Sequence, residues 1–131
     1  MIFWNLRVLV VDDDALMRTY VAEILQRVGI HQIEAVEDGK SALVYAIKFL
    51  PDIILTDIHM EPMSGIEFVK QLRALPNPTV AQIRVIFMTA DSTQETFGEA
   101  LPLGIRGYMI KPPKLETLKA KIEIALKPLT G

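Results

Sequence analysis

The chain has no cysteine among its 131 residues, which removes disulfides, thiolate nucleophiles and Cys-ligated zinc from the chemistry open to it and fits a reducing cytosol. Long hydrophobic runs are missing as well. The apolar start Met1-Ile2-Phe3-Trp4 is interrupted at Asn5 and Arg7, with no charged segment before it, and nothing elsewhere approaches the roughly 20 apolar residues that span a bilayer. Nor is there an excess of one charge. The net charge is −2 and the lysines and arginines are scattered, so neither nucleic acid nor an anionic membrane is favoured as a partner, and binding is expected to be local and specific. Internal repeats and low-complexity tracts are absent too. What is present is apolar side chain: half the residues are hydrophobic and 23% are charged, a balance that supports a buried core in a chain of single-domain length. The expectation is one soluble, cytoplasmic domain over residues 1–131.

Short β-rich apolar runs alternate with longer helix-period segments from end to end, the signature of an α/β fold. Val8-Leu9-Val10-Val11, Ile53-Ile54-Leu55 and Val85-Ile86-Phe87-Met88 are continuously apolar, as strands buried on both faces are. Weaker strand signals span Gln32 to Val36 and Gly107 to Ile110. Met17, Tyr20, Val21, Ile24 and Val28 lie at helical spacing, with Gly29 where a C-cap belongs. Leu43, Ala46, Ile47 and Leu50 form a second stripe ended by Pro51, and Ile66, Val69 and Leu72 a third after Gly65. A fourth helix around Ser92 to Leu101 is expected to be short or distorted, because Gly98 and Pro102 are unfavourable inside helices. Leu115, Leu118, Ile122 and Ala125 form the last stripe, stopped by Pro128. Five βα units in order imply a doubly wound, five-stranded parallel sheet of order 2-1-3-4-5 with helices on both faces, and a binding crevice outside the carboxyl ends of the strands.

Those strand ends carry Asp12, Asp13 and Asp14, then Asp57, Thr89 and Lys111. Carboxylates gathered together repel one another unless a counter-charge is supplied, which a hard divalent cation and a lysine ammonium provide. Mg²⁺ suits such an oxygen-rich site and leaves room for a phosphate oxygen. A carboxylate held against it can attack a phosphoryl group, while a lysine and a hydroxyl hold the transferring oxygens. Asp14, just before the first helix, reads as a helix cap, and Asp38-Gly39 as a turn into the second. Ser64 with Glu67 three residues on reads as a capping box. His31 and His59 lack the spacing of a helix-borne metal pair and read as surface residues, and Trp4 as peripheral packing.

With Val10-Val11-Asp12-Asp13, Leu55-Thr56-Asp57 followed by Met60 and Gly65, Met88-Thr89-Ala90 and Tyr108-Met109-Ile110-Lys111-Pro112, the chain closely resembles the receiver domains of response regulators in two-component signalling, in particular the stand-alone chemotaxis type, over nearly its whole length. The resemblance implies a flavodoxin-like fold in which Asp57 accepts a phosphoryl group from a phosphohistidine on a sensor histidine kinase or phosphotransfer protein. Asp13, Asp57 and the backbone carbonyl of His59 would ligate Mg²⁺, with Asp12 helping through water. Lys111 would pair with the phosphoryl group, and Thr89 would donate a hydrogen bond to it. Tyr108 would turn from exposed to buried, changing the face made by the fourth helix, fifth strand and fifth helix. The Lys111-Pro112 bond would be cis. Such a domain catalyses only its own phosphorylation and dephosphorylation. With Leu129, Thr130 and Gly131 alone after the last helix, no output domain is expected and a downstream protein would read the signal.

The chain departs from the family where Glu61 separates Met60 from Pro62 and adds a negative charge near the site, and where Ser64 replaces a common acidic residue. Two other readings stand beside the main one. Asp12-Asp13-Asp14 after an apolar strand also suits a haloacid-dehalogenase-type hydrolase with Asp12 as nucleophile, although Leu16 stands where that family has Thr or Val. A receiver fold that no longer accepts phosphate would serve only as a docking module.

Overall fold

A computed structural model describes residues 5–90 and 94–127. Five strands, β1 (Arg7–Val11), β2 (Gln32–Val36), β3 (Ile53–Asp57), β4 (Arg84–Thr89) and β5 (Gly107–Ile110), form one parallel sheet in the order β2-β1-β3-β4-β5. The helices are α1 (Ala15–Val28), α2 (Gly39–Phe49), α3 (Gly65–Arg73), α4 (Gln94–Ala100) and α5 (Leu115–Leu126), with a single helical turn at Pro78–Ala81 before β4. This is the doubly wound α/β architecture and strand order expected from the sequence, because parallel strands need crossovers and the crossovers here are helical.

The three central strands read as unbroken apolar runs because both of their faces are covered. Leu9, Val11, Ile54, Val85 and Phe87 point to one side, where Ala42 and Ala46 of α2 and Phe68, Val69 and Leu72 of α3 close over them. Val8, Val10, Ile53, Leu55, Ile86 and Met88 point to the other, against Val21, Ile24 and Leu25 of α1 and Leu118, Ile122 and Ala125 of α5. Two cores therefore sandwich one sheet, and the site falls where the strands leave it.

Local signals explain most helix ends. Asp14 caps α1, its carboxylate accepting from the backbone N–H of Leu16 and Met17, and Gly29 ends the helix in the left-handed conformation with φ 108°. Asp38 caps α2 through Ser41 N, and Ser64 caps α3 through Glu67 N at 3.1 Å. The helix at Gln94–Ala100 is short, as Gly98 and Pro102 suggest. Pro102 is taken up in a 3₁₀ turn at Leu101–Leu103 that ends on Gly104. Ser92, Pro128 and Trp4 lie outside the described residues.

Three positions in the expected apolar stripes face water instead. Tyr20 is exposed and α1 buries Leu25 in its stead; Ile47 and Leu50 are exposed while the small Ala42 and Ala46 bring α2 close to the sheet. Hydrophobic period alone does not separate a tyrosine with a polar tip, or a residue at the edge of a stripe, from one at its centre. The turn at Pro78–Ala81 is too short to show a period, although Asn77-Pro78 is a helix-start signal: Asn77 accepts from Thr79 N at 2.9 Å.

Candidate functional site

Parallel register brings the strand ends together. Asp12 is the first residue past β1, where its N–H donates to Val36 O; Asp57 ends β3, opposite Met88 of β4; Thr89 ends β4, opposite Ile110 of β5; and the N–H of Lys111 donates to Thr89 O at 2.8 Å. All four groups stand on one edge of the sheet. Thr89 is fully buried there, and Asp13 is exposed at the mouth. The Lys111 Nζ lies 2.7 Å from Asp12 Oδ2 and 3.1 Å from Asp57 Oδ2, so one ammonium bridges both carboxylates.

Backbone donors hold each carboxylate. Asp12 Oδ1 accepts from Asp14 N at 2.9 Å, and Asp57 Oδ1 from Ile58 N at 2.8 Å. Arg18, one turn into α1, donates from Nη1 to the carbonyl of Asp12 at 2.7 Å, a contact that no sequence spacing announces. The two acids differ in access. The Asp12 side chain has no exposed area, whereas that of Asp57 retains 8%.

Burial pushes the Asp57 carboxyl above its ordinary range, against the opposing pull of the Lys111 ammonium and its hydrogen bond, with the Asp12 charge adding to the rise. Burial by itself would lower Lys111, but its hydrogen bond to Asp12 and the attraction of Asp57 outweigh that and hold the ammonium above its usual value. The two shifts agree once Asp12 is counted: Lys111 is shared, so Asp57 has only part of a counter-charge.

Ligand oxygens of Asp12, Asp13 and Asp57 all lie within 4.8 Å of one another. Three carboxylates against one ammonium leave a net negative cluster of hard oxygen donors, partly open to solvent through Asp13, and that donor chemistry fits Mg²⁺. His59 follows two residues after Asp57 with an exposed side chain, in line with its reading as a surface histidine. Tyr108, on β5, is half-buried, and its ring meets Phe97 of α4 edge-on with centroids 5.0 Å apart.

Gly65 is the site's least obvious requirement. A Cβ there would come 2.0 Å from the carbonyl oxygen of Asp57, and the Gly65 N–H donates to Ile58 O at 2.7 Å, so α3 begins against the backbone that carries Asp57. A glycine at the first position of a helix, where its propensity is poor, is the sequence signal for such a close approach.

The family model for the response regulator receiver domain matches residues 8–123. This chain belongs to that family. The receiver is 34% identical over 119 residues to the chemotaxis protein CheY-3 of Vibrio cholerae, covering 91% of this chain and 90% of that protein. It is 29% identical to CheY of Pseudomonas aeruginosa, covering 96% and 100%. It is also 37% identical to the transcriptional regulatory protein ZraR of Escherichia coli, but over only 26% of that protein's length. Among solved structures it superposes on the chemotaxis response regulator CheY4 of Vibrio cholerae with a TM-score of 0.82 at 32% identity, over 92% of this chain and 98% of the other. In keeping with a receiver, the Lys111–Pro112 peptide is cis; Glu61–Pro62 is cis as well, in the loop where Glu61 sets this chain apart. No helix among the described residues is long and apolar enough to cross a membrane.

Proposed function

We propose that this receiver is a phosphoacceptor in a two-component system, taking a phosphoryl group on Asp57 from the phosphohistidine of a sensor histidine kinase or phosphotransfer protein. One observation carries the reading. Asp57 is the buried carboxylate of the pair that keeps an exposed edge, while Asp12, the nucleophile of a haloacid-dehalogenase-type hydrolase, has none. An Asp57 oxygen forms the new O–P bond as the donor's N–P bond breaks, its electron pair passing to the imidazole nitrogen.

The remaining residues hold the transferring group. Lys111 Nζ, already between Asp12 and Asp57, is within reach of a phosphoryl oxygen on Asp57, and the Thr89 hydroxyl at the neighbouring strand end donates to another. Asp13, Asp57 and the carbonyl of His59 would hold Mg²⁺, with Asp12 acting through water. When bound, the ion offsets the charge that gathers on the phosphoryl oxygens.

A phosphoryl group brings about 1.5 to 2 negative charges and new acceptor oxygens to this edge. Drawing Thr89 inward shifts the end of β4, and Tyr108 turns further into the space beside Phe97, so that α4, β5 and α5 present a changed face to a downstream protein. In this reading the chain acts as a cytoplasmic receiver domain. It contacts neither nucleic acid nor membrane, and the only chemistry it performs is on itself.

Acetyl phosphate or beryllofluoride with Mg²⁺ tests the proposal. Intact mass followed by borohydride trapping should place one modification on Asp57, and Asp57→Asn should abolish it. A label on Asp12 would support the hydrolase. With neither label nor Mg²⁺ binding, a docking module would remain.

A further inference from the structure

We infer that Tyr20 is a positioning residue for Lys111, a role that rests on the phosphoacceptor reading above. After β5 the chain runs Lys111-Pro112-Pro113, and neither proline has a backbone N–H to donate, so this stretch is held through its carbonyls. The Tyr20 hydroxyl, 93 residues away on α1, donates to the carbonyl of Pro113 at 3.0 Å.

The helix that carries Tyr20 is itself referenced to the acidic cluster. Arg18 donates to the carbonyl of Asp12, and the N–H of Asp14, the α1 cap, donates to the Asp12 carboxylate. Tyr20 thus ties the loop that supplies the ammonium to the helix that is hydrogen-bonded to Asp12, whose carboxylate lies 2.7 Å from Lys111 Nζ. Packing does not account for the residue. Its side chain is 39% exposed and outside both cores, so a phenylalanine would serve as well if only the ring mattered. Without the hydroxyl, the Lys111-Pro112-Pro113 loop keeps the Lys111 N–H to Thr89 bond at its start but loses its tie to α1, and the ammonium samples positions away from the transferring oxygens.

Phosphorylation of the full chain by acetyl phosphate is followed by intact mass across donor and Mg²⁺ concentrations. The comparison covers wild type, Tyr20→Phe, and Leu16→Ala, an exposed α1 residue that makes no contact with Pro113 through a hydroxyl. Tyr20→Phe should lower the maximal rate about three- to tenfold, as expected for one lost neutral hydrogen bond. Half-saturating Mg²⁺ should stay within about twofold of wild type, because the metal-facing carboxylates lie on other loops. Leu16→Ala should react at the wild-type rate. A Tyr20→Phe rate equal to wild type would overturn the inference, as would an equal loss of rate in Leu16→Ala or slowing accompanied by weakened Mg²⁺ binding, since these mark general loosening of the site. No label on the wild-type chain would overturn the phosphoacceptor reading itself and the inference with it.

Discussion

Replacing Gly65 by alanine tests whether α3 and the end of β3 form one rigid unit. The added methyl would sit 2.0 Å from the Asp57 carbonyl oxygen and 2.9 Å from its carbon, where ordinary contact begins at 3.4 Å, and both opposing atoms are backbone. No rotamer change relieves such a clash; the start of α3 and the end of β3 must separate by about 1.4 Å to restore ordinary contact, which strains the Gly65 N–H to Ile58 carbonyl bond as well. Overpacking of this kind costs about 2 to 3 kcal/mol. For a chain of 131 residues each kcal/mol moves the melting temperature by about 3 to 4 °C, so a drop of about 6 to 12 °C is expected. The moved atoms belong to the proposed phosphoacceptor itself, so phosphorylation by acetyl phosphate, measured well below the new melting point, should slow on the order of 10- to 100-fold. Scanning calorimetry and intact-mass kinetics read the two effects separately. A Gly65→Ala protein that melts within about 2 °C of wild type and takes label at the wild-type rate would refute the claim that this approach is rigid and sets the position of Asp57.

Mg²⁺ should stabilise the domain by binding the folded acidic cluster alone: at about 100 times its dissociation constant the gain is roughly 2.7 kcal/mol, or about 10 °C in melting temperature. Asp13→Asn, a change at an exposed position, should fold normally and lose at least about half of that shift; an undiminished shift would remove Asp13 from the metal site. Arg73 donates from Nε to Leu103 O and from Nη1 to Ala81 O and Ile83 O at 2.9, 2.8 and 2.7 Å, joining α3 to the turn before β4 and to the 3₁₀ turn that follows α4. Its guanidinium is held below its usual pKa by burial and by the nearby Arg106. Arg73→Ala strands three backbone carbonyls and should cost about 2 to 4 kcal/mol in urea unfolding, with faster amide exchange around residues 101–106. A urea midpoint equal to that of wild type would show that these bonds add nothing to stability.

The sheet was readable because its central strands are buried on both faces. Val8–Val11, Ile53–Leu55 and Val85–Met88 have no polar position to confuse with a helix stripe, and their order with the intervening helices leaves few topologies. The edge strands were weaker signals for the same reason. Gln32–Val36 is fully buried at none of its positions and Gly107–Ile110 only at Met109, so each shows only part of the apolar run that marks a strand. What one-dimensional patterning misses is contact across the fold. Tyr20 counts as a stripe residue by its spacing, yet in the structure its hydroxyl donates to a carbonyl 93 residues on.

The same limit applies inside the site. Asp12 and Asp57 both follow an apolar strand, both fall at the carboxyl edge of the sheet, and both contact Lys111, so residue type and position alone leave either as a nucleophile. The difference is one of solvent access and of shared charge. Lys111 sits closer to Asp12, the fully buried acid, while Asp57 keeps an exposed edge and a carboxyl raised by its burial against the pull of Lys111. An incoming phosphoryl group needs a carboxylate it can approach and a cation not fully committed elsewhere. Of the two acids Asp57 alone offers the approach, and the Lys111 bridge puts the cation beside it; because that bridge depends on register between β1, β3 and β5, it becomes legible only once the strands are paired.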